Sequence, residues 1–329
     1  MKRIILIPAV ILVLCCFSCD NEPYDGEIFI EQPTTGDPTD PVDPVDPVDP
    51  VDPNPEPGAS LQLNDYDYIK TFSSATGDDT TFITDFVINA NNQFLSQNTM
   101  FTFLGITVNG VANIIRDENS RVIQIRNSVD GVLVNRTSVI YNLDKLTEIT
   151  YEDLEDASEN FTFSFVHVNN EITRTREETN FSTKFTFDAT TSKLVKRETM
   201  ENGMVIKTEN ISYDSNGNLT TAVITGQDAN TYTYTHDSNT NPLRNSLNDM
   251  YVFSILNDEY DDQYEHWQAM IFSPNNVTNV TTQQGSSNLN IQYDANNRIL
   301  TRNGTIFTSV PTISDGTTIT IDETFQYIN

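Results

Sequence analysis

A short turn unit returns along most of the chain and limits what the chain can fold into. In its clearest copy, YDSNGNLTT at 213–221, an aromatic residue is followed by an Asp, a polar turn with Asn216-Gly217, and a new apolar run from Leu219. Gly accepts the positive φ of a tight turn, so the unit predicts a β-hairpin. Looser copies occupy 88–95, 116–125, 141–149, 168–173, 187–195, 235–243 and 293–301. Recurrence of the unit predicts a repeat architecture of successive hairpins.

The segments between the turns alternate apolar and polar residues, as strands with one buried face do. In 161–167, Phe alternates with Thr, Ser and Val, and in 289–293, Leu, Ile and Tyr alternate with Asn and Gln. A body spanning 59–329 has room for roughly fourteen to eighteen strands, more than a flat sheet holds. The predicted fold is therefore all-β: an antiparallel meander of hairpin repeats curled into a sandwich, an open barrel or a wrapped sheet.

Two of the units, YDSNGNL at 213–219 and YDANNRI at 293–299, resemble the YD repeats of the Rhs proteins. The stretch HDSNTNPLRN at 236–245, followed by FSPNNVTNVT at 272–281, is similar to the YD-repeat lipoproteins of Bacteroidetes. The resemblance covers residues from about 85 to 329 and implies a repeat-built β domain in the cell envelope. It implies no particular activity.

The N-terminus has the pattern of an export signal that ends at a cysteine. Lys2 and Arg3 precede an apolar run over 4–17, which is too short to span a bilayer. Residues 1–18 are therefore predicted to be a lipoprotein signal peptide, with lipidation at Cys19. The alternative is an ordinary signal peptide that leaves a free thiol. The other two cysteines lie within 1–18, so the mature monomer has no intramolecular disulfide.

The residues that follow Cys19 predict an outer-membrane protein held by acyl chains. Asp20 and Glu22 resemble the signal that directs Bacteroidetes lipoproteins to the cell surface. Several acyl chains make attachment effectively permanent, because each buried methylene contributes about 0.8 kcal/mol. The outer membrane is thus an expected partner through the anchor, and the protein is expected at the cell surface.

Residues 19–58 are predicted to form an acidic, proline-rich stalk. The repeat DPVDPVDPVDP places Pro at every third position, which favours a polyproline II helix with its Asp side chains along one edge. At about 3.1 Å per residue, the span 37–57 could reach roughly 65 Å. A spacer explains these residues, and docking of a proline-reading partner is the alternative.

The charge of the chain excludes one class of partner. With 47 acidic and 18 basic residues the net charge is -29, and such a chain repels nucleic acid and anionic lipid. We therefore expect no nucleic-acid partner.

One dense group of functional side chains, NDEYDDQYEHWQ, lies at 257–268. Its aromatic residues could stack on a sugar face, and its carboxylates could offer oxygen ligands to calcium. The alternative is a solvated acidic helix with Trp267 and Met270 packed into the sheet. The candidate ligand-binding residues are Tyr260, Tyr264, His266 and Trp267, and the candidate calcium ligands are Asp258, Glu259, Asp261 and Asp262.

The sequence predicts a binding protein rather than an enzyme. His167, His236 and His266 lack zinc-ligand spacing, and no nucleophile elbow, phosphate loop or dinucleotide fingerprint occurs. No catalytic residue and no cofactor beyond the possible calcium is expected. The preferred function is surface binding or display of a glycan or an envelope protein. The alternatives are a structural repeat protein without a ligand and a hydrolase of envelope polysaccharide.

Overall fold

The computed structural model describes residues 61–73, 79–103, 105–176, 179–258, 268–307 and 318–328. These residues form one antiparallel sheet in which the strands pair in sequence order, so the predicted all-β meander is confirmed. Sequential pairing follows from the turn units, because a short polar turn lets a strand fold back only onto its neighbour. The predicted signal peptide, Cys19 and the predicted stalk lie outside the described residues.

The strands are β1 (Leu63–Ser73), β2 (Asp79–Ile88), β3 (Phe94–Phe103), β4 (Ile106–Arg116), β5 (Val122–Val129), β6 (Val132–Asn142), β7 (Lys145–Asp153), β8 (Phe161–Val168), β9 (Glu171–Arg176), β10 (Phe181–Phe187), β11 (Leu194–Glu201), β12 (Met204–Tyr213), β13 (Leu219–Gly226), β14 (Asn230–Thr240), β15 (Asn275–Thr282), β16 (Gly285–Asn288), β17 (Asn290–Tyr293), β18 (Ile299–Phe307) and β19 (Thr318–Tyr327). A 3-10 turn, Ala157–Glu159, lies between β7 and β8.

The sheet curls until its first and last strands meet, which makes it a nearly closed barrel. β1 pairs with β2 on one side and β19 on the other, and Tyr66 is opposite Phe86 and Phe325. β16 and β17 are two halves of one strand that bends at Leu289, pairing first with β15 and then with β18. Counted as one, they leave eighteen strands among the described residues, and an even number lets an antiparallel meander close.

The inner wall of the barrel is mainly apolar, as the alternating patterns predict. In β8 the three phenylalanines 161, 163 and 165 are buried, whereas Thr162 and Ser164 lie on the outer face. Each fully buried apolar side chain of this size contributes about 1.5–3 kcal/mol. The buried residues from strands all around the barrel belong to one hydrophobic cluster. The interior is therefore the core of the protein.

The outer wall carries cross-strand pairs of Thr, Asn and charged side chains, alongside exposed apolar residues such as Val87, Met100 and Ile140. Thr71 and Thr81 lie 3.2 Å apart across β1 and β2, and Lys184 forms a 2.7 Å ion pair with Glu171 across β9 and β10. Arg136 pairs with a glutamate of β7 in the same way. Each such cross-strand pair contributes about 0.2–1 kcal/mol to the stability of the sheet. This face is suited to water.

A helical insert connects β14 to β15 and fills one end of the barrel. It contains α1 (Pro242–Leu247), a 3-10 turn (Asn248–Met250), α2 (Tyr251–Leu256) and a π-helical turn (Gln268–Phe272). Nearly every apolar residue of these elements is buried in the same cluster as the barrel wall. Among the described residues, no helix combines the length and the apolar character needed to cross a membrane.

The turn unit predicted at 235–243 is wrong as a hairpin. β14 runs on to Thr240, and Asn241 then caps α1 by accepting a hydrogen bond from the Leu243 amide at 3.1 Å. Pro242 explains the difference, because proline cannot donate to a returning strand but is well suited to the first turn of a helix. The other predicted units lie at strand-to-strand turns.

Candidate functional site

The end of the barrel that holds the insert is built from five turns with a shared geometry. In each, an Asp or Asn side chain accepts hydrogen bonds from backbone amides two to four residues later, as Asp214 does from Asn216 and Asn218 at 2.9 Å. The same bonds are made by Asn89, Asp117, Asp188 and Asp294. These side chains satisfy amides that a tight turn leaves unpaired, so each turn is fixed locally.

Each of these turns also contains one residue with positive φ. It is Gly217 in the clearest unit, with φ of +86°, whereas the preceding Asn216 keeps a negative φ. The prediction of a positive φ at this turn is confirmed for the glycine alone. At the corresponding positions the other turns have Asn92, Ser120, Ser192 and Asn297. The repeated rigid turns form a rim around the insert.

Asn241 holds the two ends of the insert together. Its side-chain amide donates to the backbone oxygens of Met270, Ile271 and Ser273, at 2.9 to 3.0 Å. The side chain is 1% exposed and also caps α1, so both its donor and acceptor groups are used. A single buried amide therefore closes the insert into a loop at the barrel end.

A small cleft lies between the insert and the rim of turns. Its volume is about 30 Å³, enough for one or two water molecules or the head of a small polar group. Lys193, Arg244 and Asn248 are half-buried and lie beside buried aromatic rings. The lining residues are Lys193, Tyr213, Arg244, Asn248, Tyr251, Gln268, Phe272 and Ser273.

Two tyrosines join the rim to the insert at the base of this cleft. Tyr251 of α2 accepts a 2.9 Å hydrogen bond from the Leu194 amide, and Tyr213 donates to the Leu194 carbonyl at 2.8 Å. The Tyr251 ring meets Phe272 edge-on, with ring centres 5.2 Å apart. The hydroxyls are occupied by the backbone of β11, so the tyrosines fix the shape of the cleft.

Lys193 is the cation that the fold holds most firmly in the cleft. Its ammonium donates to the Gly217 carbonyl and lies 4.8 Å from the centre of the Tyr213 ring. Burial and, to a smaller extent, the nearby Arg244 lower the pKa of Lys193 to about 8, and Asp214 acts in the opposite direction. In a chain with a net charge of -29, two cations beside one cleft make this a locally basic site.

A second group of ionisable side chains lies on the outer wall, away from the cleft. The carboxylates of Asp65 and Asp67 on β1 and of Asp85 on β2 all come within 4.8 Å of one another. Burial and the neighbouring carboxylates raise the pKa of both Asp65 and Asp67. Gln326 donates to Asp65 at 3.0 Å, and Asn98 donates to Asp85 at 3.1 Å. Hydrogen bonds from neighbouring strands thus help to hold the trio in place.

Of the residues that the sequence singled out for binding, Asp258 alone is described. Its carboxylate lies 2.7 Å from Arg197 on the barrel wall, so it forms an ion pair inside the protein. Cys19 and the other candidates lie outside the described residues: Glu259, Tyr260, Asp261, Asp262, Tyr264, His266 and Trp267. His167 and His236 lie in β8 and β14, and His167 contacts the Leu146 carbonyl at 2.7 Å.

Sequence reasoning missed the cleft cations. Lys193 belongs to the turn unit at 187–195, and Arg244 belongs to the NPLRN stretch. Basic residues are scarce in this chain, 18 against 47 acidic ones, and that scarcity was the available signal. It could mark the two residues as unusual, but only the fold brings them together, because the insert returns α1 to the rim.

No protein-family model matches the sequence, and no curated protein matches it. Among solved structures, the chain is similar to the crystal structure of a porin-like protein from Bacteroides uniformis ATCC 8492. The TM-score is 0.46 with 12% sequence identity, and the match covers 82% of this chain and 100% of that one. What this chain does must be inferred from its own residues.

Proposed function

We propose that this protein is a lipid-anchored binding protein of the bacterial outer membrane, whose barrel stands in the water outside the bilayer. The ligand is a glycan or a partner protein of the envelope, and the insert end of the barrel is the binding end. The protein has no catalytic role in this proposal. The polarity of the two barrel walls is the observation that carries it.

The outer wall argues against insertion of the barrel into lipid. Ion pairs such as Lys184–Glu171 and Lys196–Glu198, at 2.7 and 2.6 Å, lie on this face with both partners partly exposed. A charged side chain facing lipid at the bilayer midplane costs about 2–4 kcal/mol. The Thr and Asn pairs on neighbouring strands add further polar surface. The anchor at Cys19 would supply the membrane attachment that this wall does not.

The inner wall argues against a channel. Phe163, Phe185 and Ile172 are at most 2% exposed, and the helices of the insert are buried against the same cluster. A channel requires a polar, hydrated lumen, whereas this interior is packed with apolar side chains. A barrel filled in this way acts as a rigid support for its surface.

The anchor is tested by replacing Cys19 and following where the protein goes. We expect the wild-type protein in the outer-membrane fraction, labelled by a palmitate analogue. Cys19→Ser should lose the label and leave that fraction while keeping the circular dichroism spectrum of a β protein. Cys16→Ser, a matched change in the same segment, should behave as wild type. A Cys19→Ser protein that stays in the membrane and needs detergent for extraction would contradict the proposal.

The closed interior is tested by conductance. Purified full-length protein added to planar lipid bilayers should give no channel events at any concentration that a porin control needs for insertion. Stepwise conductance that depends on this protein would show a membrane-spanning pore. That result would overturn the proposal even if Cys19 carries lipid.

A further inference from the structure

We propose that the cleft between the insert and the rim binds an oxyanion, the acidic end group of a larger molecule, between Lys193 and Arg244. The inference deepens the proposed binding function and rests on it. The ligand class is a molecule that ends in a carboxylate, sulfate or phosphate group, such as an acidic sugar.

The two cations are the first observation. Arg244 of α1 and Lys193 of the 187–195 turn come from different parts of the chain, yet both line the cleft, and the charge of Arg244 helps to lower the pKa of Lys193. Two like charges held together are unfavourable unless an anion lies between them. Within the part of the chain that the structure describes, no acidic side chain forms a salt bridge with Arg244.

The carboxylate that acts on Lys193 is already engaged in its own turn. Asp214 acts on Lys193 from the rim, but its carboxylate accepts from the amides of residues 216 and 218 and from the Asn218 side chain, each at 2.9 Å. Those bonds lower the pKa of Asp214 and keep the side chain in its own turn. The cleft therefore keeps a net positive charge in a strongly acidic protein.

The shape of the cleft fits an end group rather than a whole ligand. A volume of about 30 Å³ takes the oxygens of one carboxylate or a similar group and leaves the rest of the molecule outside. A guanidinium presents paired donors that match the two oxygens of an oxyanion, and the ammonium adds a point charge. Asn248 at the mouth can hydrogen-bond with neighbouring hydroxyls.

The fold also fixes the position of Lys193. Its ammonium is held by the Gly217 carbonyl and by the face of the Tyr213 ring. A Cβ added to Gly217 would overlap Lys193 Nζ, and the φ of +86° already disfavours other residues there. The turn glycine thus leaves space that the lysine uses, which connects the repeat turn to the cleft.

Binding is tested by isothermal titration of the full-length mature protein with three probes of one scaffold: glucuronate, glucose 6-phosphate and glucose. We expect at least one acidic probe to bind and glucose not to bind. Arg244→Gln and Lys193→Met should each weaken binding about tenfold or more, since a charge-assisted hydrogen bond is lost. Lys184→Met, on the outer wall, is the matched control and should bind as wild type. Which acidic probe binds identifies the oxyanion.

The pH dependence gives a second readout. Lys193 faces Arg244, Asp214, Tyr213 and Tyr251, and of these groups the lysine is the one with a pKa of about 8. Affinity should fall as the pH rises from 7 to 9.5, because the lysine loses its proton over that range. In Lys193→Met that fall should vanish.

Three results would overturn the inference: no binding of either acidic probe, equal binding of glucose, or unchanged affinity in a folded Arg244→Gln protein. Arg244 is half-buried and forms no salt bridge within the described residues, so its replacement should leave the melting temperature near that of wild type. The localisation of Cys19→Ser is measured independently. Failure of oxyanion binding with normal anchoring would therefore remove this inference and leave the proposed function standing.

Discussion

Two buried Arg–Glu pairs lie at separate places on the inner wall, and in each the two partners are on neighbouring strands. Arg302 and Glu323 face each other across β18 and β19, and Arg197 and Glu209 do so across β11 and β12. All four side chains are at most 1% exposed. In each pair, nitrogen and oxygen atoms approach to 2.5–2.9 Å. One difference between them is the third group that each pair binds.

The Arg302–Glu323 pair binds the strand that closes the barrel. Tyr66 of β1 donates a 2.6 Å hydrogen bond to Glu323, joining residues 257 positions apart. Burial and the charge of Glu323 hold the pKa of Tyr66 well above its usual range, so this phenol stays a donor. The pair therefore stabilises the seam, the place where the two ends of the sheet meet.

The Arg197–Glu209 pair binds the insert. Arg197 reaches Asp258, just after α2, and the neighbouring Arg174 donates to the Leu256 carbonyl at 3.0 Å. The Arg302–Glu323 pair thus stabilises the seam of the barrel, and the Arg197–Glu209 pair stabilises the insert. Buried ion pairs are weak evidence for stability, but they specify which parts must meet. The two pairs specify contacts at two different places, the seam and the insert.

The largest expected effect comes from breaking the seam pair on one side. Arg302→Met leaves Glu323 buried without a counter-charge and should lower the free energy of unfolding by about 3–5 kcal/mol, measured in urea. The double variant Arg302→Met/Glu323→Leu should regain most of that loss, because no buried charge is left alone. A single variant within about 1 kcal/mol of wild type would show that the seam does not depend on the pair.

A smaller and more local effect is expected at the insert. Asp258→Asn removes one charge from a partly exposed site, and a hydrogen bond to a charged group contributes about 1.5–3 kcal/mol. Hydrogen exchange should become faster in Tyr251–Leu256 and stay unchanged in β18 and β19. Asp228→Asn, at an exposed carboxylate 3.9 Å from Lys207, is the matched control. Equally faster hydrogen exchange in both regions would mean that the two Arg–Glu pairs do not stabilise separate parts of the barrel.

Turn substitutions should act on both regions alike, with effects of about 1 kcal/mol. Gly217→Ala places a Cβ at φ of +86° and should destabilise the barrel by about 1–2 kcal/mol. Leu143→Gly should stabilise it by up to about 1 kcal/mol, because Leu143 has φ of +56° and its side chain is exposed. Thermal melts of each variant, alone and combined with Arg302→Met, should show additive changes. Non-additivity would link the turns to the seam.

The turns were the predictable part of this fold because their chemistry is local. The side chains of Asp214 and Asp294 accept hydrogen bonds from amides within four residues, so the residues of a unit such as YDSNGNL determine the conformation of its turn. The all-β meander follows from such units. Closure of the barrel does not follow from these units. The pairing of β1 with β19 depends on contacts such as that between Tyr66 and Phe325, which are too far apart in the sequence for a local pattern to predict.

The inner charges and the cleft were hidden for a related reason. Arg302 and Glu323 occupy inward positions among residues that are otherwise apolar there, and polar residues in an alternating strand are predicted to face outward. The cleft needs Lys193 and Arg244 to meet, which requires the insert to fold back on the rim. The dense group at 257–268, by contrast, is recognisable from the sequence because its residues are adjacent.

The smallest expected effect is a pH dependence confined to the seam. Burial lowers the pKa of His236, and Arg302 lowers it further, against the opposing effects of Asp214 and Asp237. The folded pKa lies below the unfolded one, so in the window below about 6.5 the unfolded chain binds the proton first. The free energy of unfolding should therefore fall as the pH drops through that window.

This pH effect should distinguish the seam from the insert, because His236 interacts with Arg302 and with neither member of the Arg197–Glu209 pair. Lowering the pH from 7.5 to 5.5 should speed hydrogen exchange in β18 and β19 more than in α2. His236→Gln should remove that difference. His167→Gln is the matched control, because burial lowers its pKa too while its neighbour is Lys145. If the faster exchange of β18 and β19 at low pH persists in His236→Gln, another group causes the pH dependence of the seam. The two Arg–Glu pairs would then differ in the elements they connect and not in their response to pH.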